Sequence, residues 1–313
     1  MIGLSALNVT VLGAGGFIGG ALTQALTSQV NSLKAFGRNV SPAHGLNNCH
    51  WVRGDFSNET DLYNAVDGAD VVYHLVNAGT PASSNLEIYA DLQSNVANTV
   101  RLLEVCKVTK VKRVIFVSSG GTVYGLPDVV PTPESGNTNP ICAYGISKLS
   151  IEKYLGLYEY LHNIDFRVLR LSNPYGPRQL AKAGQGVVAA FMSMALRGAP
   201  VECWGDGTVV RDYIYISDAV GALIKAAVHQ GEDRVFNIGS GTGVTLNDLI
   251  RGIEHAAKVR VKINYSPSRL VDVPVSILDI TRAKASLDWS PQISLTDGLG
   301  LTANWMRSQT QSW

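Results

Sequence analysis

Charge of either sign is scarce in this chain. Only 16% of its residues are Asp, Glu, Lys or Arg, and 26 basic side chains against 25 acidic ones leave a net charge of +1. There is no basic excess to hold a nucleic acid and no lysine-rich tract to hold an anionic membrane. Cysteine is equally sparse: Cys49, Cys106, Cys142 and Cys203 lie far apart and form no CxxC pair. That spacing suits neither a disulfide framework nor a structural metal site, so no metal is expected and a reducing cytoplasm is the simpler setting. Long apolar runs are missing too. No stretch approaches ~18 uninterrupted apolar residues, which excludes a membrane-spanning helix. The first residues carry no positive charge and glycines interrupt the apolar stretch that follows, so no signal peptide is expected. Internal repeats are absent.

What the chain does have is apolar and glycine-rich. Hydrophobic residues make up 46% of its 313 positions, a globular composition that argues against disorder. At roughly 150 residues per domain, the length corresponds to two domains or one large α/β unit. Such a chain buries about three-quarters of its unfolded surface. In the first half, short β-rich runs alternate with helical patterns. Strands are predicted at 8–12, 33–36, 71–75 and 114–117, with a long helix at 86–106. The nearly continuous apolar runs Val71-Val72-Tyr73-His74-Leu75 and Val114-Ile115-Phe116-Val117 are what parallel strands buried on both faces require. The expected class is therefore α/β, with a doubly wound parallel sheet. After a strand at 166–171, the stretch Asn173-Pro174-Tyr175-Gly176-Pro177-Arg178 marks an exit into loops.

Between the first strand and the first helix stands Gly13-Ala14-Gly15-Gly16-Phe17-Ile18-Gly19. In this position Gly13 permits a tight turn, Gly16 lets backbone approach a pyrophosphate, and Gly19 lets helix and strand pack closely. Phe17 and Ile18 lie in the first helical turn, whose free N–H groups and positive dipole end face the anion. The segment predicts a Rossmann-type dinucleotide site. An acidic residue at the end of the second strand would bind the ribose 2′-hydroxyl of NAD, but Gly37 and Arg38 stand there instead. Arg38 pairs with a 2′-phosphate, stacks on adenine, or is simply a solvated loop arginine; NAD and NADP both stay open. Asp55, followed by Phe56, comes after the third strand. It either accepts from the adenine amino group or acts as a helix N-terminal acid.

Tyr144 and Lys148 sit four residues apart at the start of a helical pattern over 144–161, which puts both on one face. A phenol has an ordinary pKa near 10, and an ammonium close by favours the phenolate. That brings the tyrosine nearer to acting as a base at neutral pH. Upstream, Ser118-Ser119-Gly120-Gly121-Thr122-Val123-Tyr124-Gly125 follows the strand at 114–117, so its hydroxyls are placed at the ligand-facing strand end.

This ordered set resembles the extended short-chain dehydrogenases/reductases, and within them the nucleotide-sugar branch of NAD-dependent 4-epimerases. The resemblance covers nearly the whole chain: GAGGFIG, GDF, NVANTVRLLE, SSGGTVYG, NPICAYGISK, LRLSNPYGPRQ, WGDGTVVRDYIYISD and SRLVDVP…LDWSP. It implies that Tyr144 is the catalytic base and that Lys148 orients the nicotinamide ribose and lowers the tyrosine pKa. It further implies that Asn95 lies in the NAD pocket, and that Asn173, Arg211 and Arg269 bind the sugar diphosphate, a role that suits bidentate guanidinium groups. Many members carry a catalytic Ser or Thr four residues before the tyrosine of the VYG segment; here that position is Gly120. Ser119 is the favoured replacement, with Ser118 and Thr122 as alternatives and further sugar contacts.

Dehydratases and decarboxylases of this branch place an acid immediately before the VYG-like sequence, where this chain has Gly121 and Thr122. The expected reaction is therefore 4-epimerisation of a UDP-glucose/UDP-galactose type substrate through a transient 4-keto sugar, with NAD retained. The alternative is NADPH-dependent reduction of a 4-keto-6-deoxy nucleotide sugar. Members that only bind NADP usually lose the tyrosine or the lysine, and both are present here. Residues 1–172 are expected to form the dinucleotide-binding domain, with strands near 212–240 returning to it. Residues 173–313 would form mainly the nucleotide-sugar region. Apolar residues on more than one face of 86–106 and 144–161 predict a homodimer through a four-helix contact.

Overall fold

The computed structural model describes residues 3–39, 48–180, 186–268 and 273–310. Its strands are β1 (Asn8–Leu12), β2 (Ser32–Gly37), β3 (His50–Arg53), β4 (Val71–His74), β5 (Arg113–Ser119), β6 (Asp165–Leu171), β7 (Asn173–Tyr175), β8 (Val201–Trp204), β9 (Val210–Tyr215), β10 (Val235–Ile238), β11 (Gly243–Thr245), β12 (Ile263–Ser266) and β13 (Val275–Ser276). Its helices are α1 (Phe17–Leu26), α2 (Glu59–Val66), α3 (Pro81–Ser84), α4 (Ile88–Asp91), α5 (Asn98–Thr109), α6 (Ala143–His162), α7 (Val187–Leu196), α8 (Ile216–Val228), α9 (Leu246–Ala257), α10 (Thr281–Leu287) and α11 (Leu295–Thr310).

Seven strands form one sheet in the order β10-β6-β5-β4-β1-β2-β3, and every neighbouring pair is parallel. Strand alternation distributes side chains to two helical layers. Val9 and Val11 join the core under α1 and α8, while Leu12 joins the core under α2, α5 and α6. The order reverses between β1 and β4, and an open α/β sheet forms its ligand crevice beyond the strand ends at such a point.

A smaller layer lies beyond that edge. β9 pairs with β7, β11 and β13, and β8 pairs with β12. Of the segments predicted to return to the main sheet, β10 does so, beside β6, and α8 packs against β5 and β6. β9 instead runs through the smaller sheet. One apolar core is continuous from Val9 and Val11 to Val188, Leu249 and Leu299.

The helix predicted at 86–106 is present but changes its hydrogen-bond register part-way. α4 passes into a single π-helical turn, Leu92–Ala97, before α5 begins. This turn carries Asn95, whose side chain is engaged outside the helix.

Candidate active site

The glycines of the first loop divide three tasks. Gly13 has φ +86°, a left-handed conformation that strains any residue with a Cβ, and its amide donates to the Phe36 carbonyl at 3.0 Å. A Cβ on Gly19 would overlap the Gly13 carbonyl oxygen, so helix and loop meet backbone to backbone. Gly16 is exposed and is the N-cap of α1; no side chain caps the helix, and its first turn carries no acid. The first-turn amides that an α-helix leaves unpaired therefore stay available to an anion. Phe17 and Ile18 are half-buried beside them.

Arg38 is exposed just past β2. It lies near enough to Asp55 to help hold that carboxyl below the usual range. The larger cause is hydrogen bonding, since the Ser57 amide and hydroxyl both donate to Asp55 at 2.8 and 2.7 Å. The Phe56 ring is buried and stacks on His74 at 5.0 Å between centroids, which leaves backbone rather than ring to face a cofactor. Asn95 is buried, and its amide brackets the Ala78 peptide: it accepts from the Ala78 amide and donates to the Ala78 carbonyl, both at 2.9 Å. It thereby fixes the loop after β4, at the edge of the crevice.

Tyr144 lies in the first turn of α6. Side chains from the end of α3 complete that helix start: Asn85 accepts from the Ala143 amide at 2.8 Å, and Ser84 from the Tyr144 amide at 3.0 Å. Gly145 lets this turn press against the strand-end loop, because a Cβ there would stand 2.8 Å from the Thr122 carbonyl oxygen. Lys148 is buried one turn on. Its ammonium donates to the Val117 carbonyl at 3.0 Å and lies over the rings of Phe116 and Tyr144, 4.8 and 5.6 Å from their centroids. Burial pulls Lys148 down to about 8, against the opposing pull of Asp91 and Glu152. Burial pushes the Tyr144 phenol well above its ordinary value, and Cys142 and Asp91 add to the rise. The lysine faces the ring and the Val117 carbonyl.

The strand-end hydroxyls separate. Ser118 is buried and donates to Glu152 at 2.5 Å, so its hydroxyl belongs to the interior and is withdrawn from the sugar-binding set. Ser119, the next residue on the strand, points to the opposite face. It is half-buried, and its hydroxyl forms no hydrogen bond among the described residues. Thr122 Oγ1 is buried without a hydrogen-bond partner among the described residues. Such an orphan costs ~1–3 kcal/mol unless a ligand or water meets it. Gly120 leaves no room for a hydroxyl: a Cβ there would stand 2.5 Å from Leu278 Cδ1.

On the opposite wall, Asn173 donates to the Asp212 carbonyl at 2.8 Å, and Arg211 donates to the carbonyls of Val210 and Val273 at 2.9 and 2.6 Å. Arg269 lies outside the described residues. Sequence reasoning missed Asp91, which accepts from Ser147 and Asn95, and Glu152, which binds Ser118 and Arg170. Glu152 was signalled, because it continues the four-residue spacing of Tyr144 and Lys148. Tyr124, the other tyrosine of the strand-end motif, is locked in the interior between Asn237 and Arg170 at 2.7 and 2.9 Å.

The chain and its fold are similar to known proteins. A family model described as the NAD dependent epimerase/dehydratase family matches residues 9–239. The chain is 33% identical over 314 residues to a UDP-glucose 4-epimerase of Mycolicibacterium smegmatis, covering 97% of this chain and all of that one. It is 32% identical over 300 residues to a dTDP-4-dehydro-6-deoxyglucose reductase of Escherichia coli, covering 93% of this chain and 95% of that one. Among solved structures, the UDP-glucose 4-epimerase of Thermotoga maritima with UDP-glucose superposes with a TM-score of 0.91. The two are 35% identical, with 97% and 100% of the chains covered. The match to the family model spans most of the chain and includes the glycine loop, the strand-end hydroxyls and the Tyr144–Lys148 pair, so this chain belongs to the NAD-dependent epimerase/dehydratase family.

Proposed function

We propose that this protein is a nucleotide-sugar 4-epimerase of the UDP-glucose/UDP-galactose type. The observation that carries the reading is the pairing of Tyr144 with the buried Lys148 at the end of β5, beside a strand-end loop whose Gly121 and Thr122 offer no carboxylate. A tyrosine and a hydroxyl can move the proton of one sugar hydroxyl. Elimination of water would call for an acid that this loop lacks.

The cradle suits a dinucleotide: an uncapped helix start, a left-handed Gly13, and a Gly19 that admits no side chain. Gly13, Gly16, Phe17, Ile18 and Gly19 would hold the pyrophosphate, Arg38, Asp55 and the Phe56 backbone the adenosine end, and Asn95 the loop beside it. Bound NAD would supply the hydride acceptor and donor for carbon 4. Tyr144 takes the proton of the 4-hydroxyl and returns it after the 4-keto sugar has turned over. Lys148 holds the ribose side of the site, and Ser119 and Thr122 donate to the sugar oxygens. Asn173, Arg211 and Arg269 bind the diphosphate. In this reading the cofactor unit comprises residues 1–172 with α8 and β10, and the remainder of 173–313 closes over the sugar nucleotide.

One observation favours a second reading, the NADPH-dependent reductase. Arg38 stands where an acidic residue would select NAD, and one relative, at 32% identity, is a reductase. The test is to incubate the purified protein with UDP-galactose and to identify the nucleotide it releases by mass. Conversion to UDP-glucose without added NADPH, with NAD released, supports the epimerase. Conversion absent, with NADP released, supports the reductase.

We also propose a homodimer. Val96, Leu103, Ile151, Leu155 and Tyr158 serve the core or lie close to it, but an apolar stripe remains outside. It comprises Leu86, Ile88, Tyr89 and Leu92 on one side, and Ile146, Tyr154, Leu157 and Leu161 along α6. A two-fold contact through this stripe would bring the α4 and α6 faces of two copies together. Sedimentation at micromolar concentration should give a dimer, and a monomer would oppose the contact. The cytoplasm, where four free thiols stay reduced, is the compartment proposed.

A further inference from the structure

We propose that Asp91 is a positioning residue for the Tyr144–Lys148 pair: its one buried carboxylate ties α6 to the asparagine clamp on the β4 loop and supplies the unneutralised negative charge that faces the Lys148 ammonium. The inference rests on the reading of Tyr144 and Lys148 as the catalytic pair.

Asp91 ends α4 and is 6% exposed. One oxygen accepts from the Ser147 hydroxyl at 2.6 Å, and Ser147 is the residue immediately before Lys148. The other accepts from Asn95 at 3.0 Å, and Asn95 grips both polar atoms of the Ala78 peptide. Three segments thus meet at one side chain: the helix that carries the proton-moving pair, the π-helical turn, and the loop at the edge of the cofactor crevice. A shift of α6 along its axis would break the Ser147 bond. A shift of the loop would break the Asn95 bonds.

The groups facing Lys148 can be taken element by element. From α6 come Tyr144 and Glu152. Glu152 is already compensated, because it takes Arg170 of β6 at 2.6 Å together with Ser118. From β5 come the Phe116 ring and the Val117 carbonyl, and from β4 comes His74, which burial and the Lys148 charge push down to about 3 and so keep neutral. From α4 comes Asp91, whose hydrogen-bond partners Ser147 and Asn95 are both neutral. Burial pulls Lys148 down, and Asp91 leads the forces that hold it up.

The test compares wild type, Asp91→Asn and Ser147→Ala, purified with whatever cofactor they retain. Lysine labelled with ¹³C and ¹⁵N reports the titration of Lys148, assigned by its loss in Lys148→Arg. The wild-type midpoint is expected near 8. Asp91→Asn should lower it by about one unit, at the low end of what an opposite charge nearby provides. Ser147→Ala removes the hydrogen bond but keeps the charge, so it should leave the midpoint in place. That variant should slow UDP-galactose turnover by about two- to tenfold, the worth of one hydrogen bond. A merely structural Asp91 would lower thermal stability without moving the lysine midpoint. An unmoved midpoint in Asp91→Asn overturns the proposal; if that variant does not fold, Asp91→Ser is read the same way. Because the titration needs no turnover, it stands even if the epimerase reading fails.

Discussion

In the proposed reaction, Tyr144 is the residue on which the chemistry turns. Tyr144→Phe keeps the ring that Lys148 faces and removes only the exchangeable proton. Turnover should therefore fall by roughly 10²–10⁴-fold, with substrate binding little changed in a steady-state assay. Gly120 yields a second prediction. Its hydroxyl-free position is legible in the sequence, but the cause, Leu278 packed 2.5 Å from the absent Cβ, comes from a distant segment that no local pattern reveals. Gly120→Ser should cost about 1–3 kcal/mol through overpacking, read as a lowered melting temperature, and should cost less when introduced into a Leu278→Ala background. If Gly120→Ser melts like wild type, the crowding at this position is not real. The inward turn of Ser118 is hidden from the sequence for a related reason. Two consecutive serines on a strand point to opposite faces, and the sequence does not say which face α6 will cover.

At the level of elements, α6 was legible almost to its ends, because its four-residue spacing and apolar periodicity agree. The environment of its lysine was not. Lys148 has its pKa lowered from 10.5 to about 8 in the folded protein. Its folded value lies below its unfolded value, so between those two pH values the unfolded chain binds the extra proton and stability rises with pH. Below pH 8 the buried charge costs stability in full, about 3 kcal/mol on this shift. Lys148→Met should therefore melt higher than wild type at pH 7, with the gap narrowing towards pH 10, while activity is lost. A gap independent of pH would contradict the shifted lysine. The 86–106 segment was read as one helix because its apolar spacing is helical throughout. What it does not reveal is tertiary: Asn95 turns its amide outward to the Ala78 backbone from a π-helical turn, a device common at functional sites. Asn95→Ala should release that loop and weaken NAD affinity by about tenfold in calorimetry, the worth of the lost hydrogen bonds. Unchanged affinity would remove Asn95 from the cofactor site.

Across the whole molecule, the parallel sheet followed from alternating apolar runs, whereas the smaller sheet did not. Its strands β7, β11 and β13 are only two or three residues long, too short for any periodicity to register. Their order depends on the buried Asp212, whose carboxylate gathers the amides of Ser240, Gly241 and Leu278 from separate segments. What the two layers build together is a crevice in which one sugar carbon is to be oxidised and then reduced without net change. The most direct measurement of that claim uses UDP-galactose deuterated at carbon 4, with no nucleotide added. The account predicts UDP-glucose that still carries its deuterium at carbon 4, formed by Tyr144→Phe at a rate roughly 10²–10⁴-fold lower. Deuterium lost to the medium during conversion, or product formed only when NADPH is supplied, would contradict it.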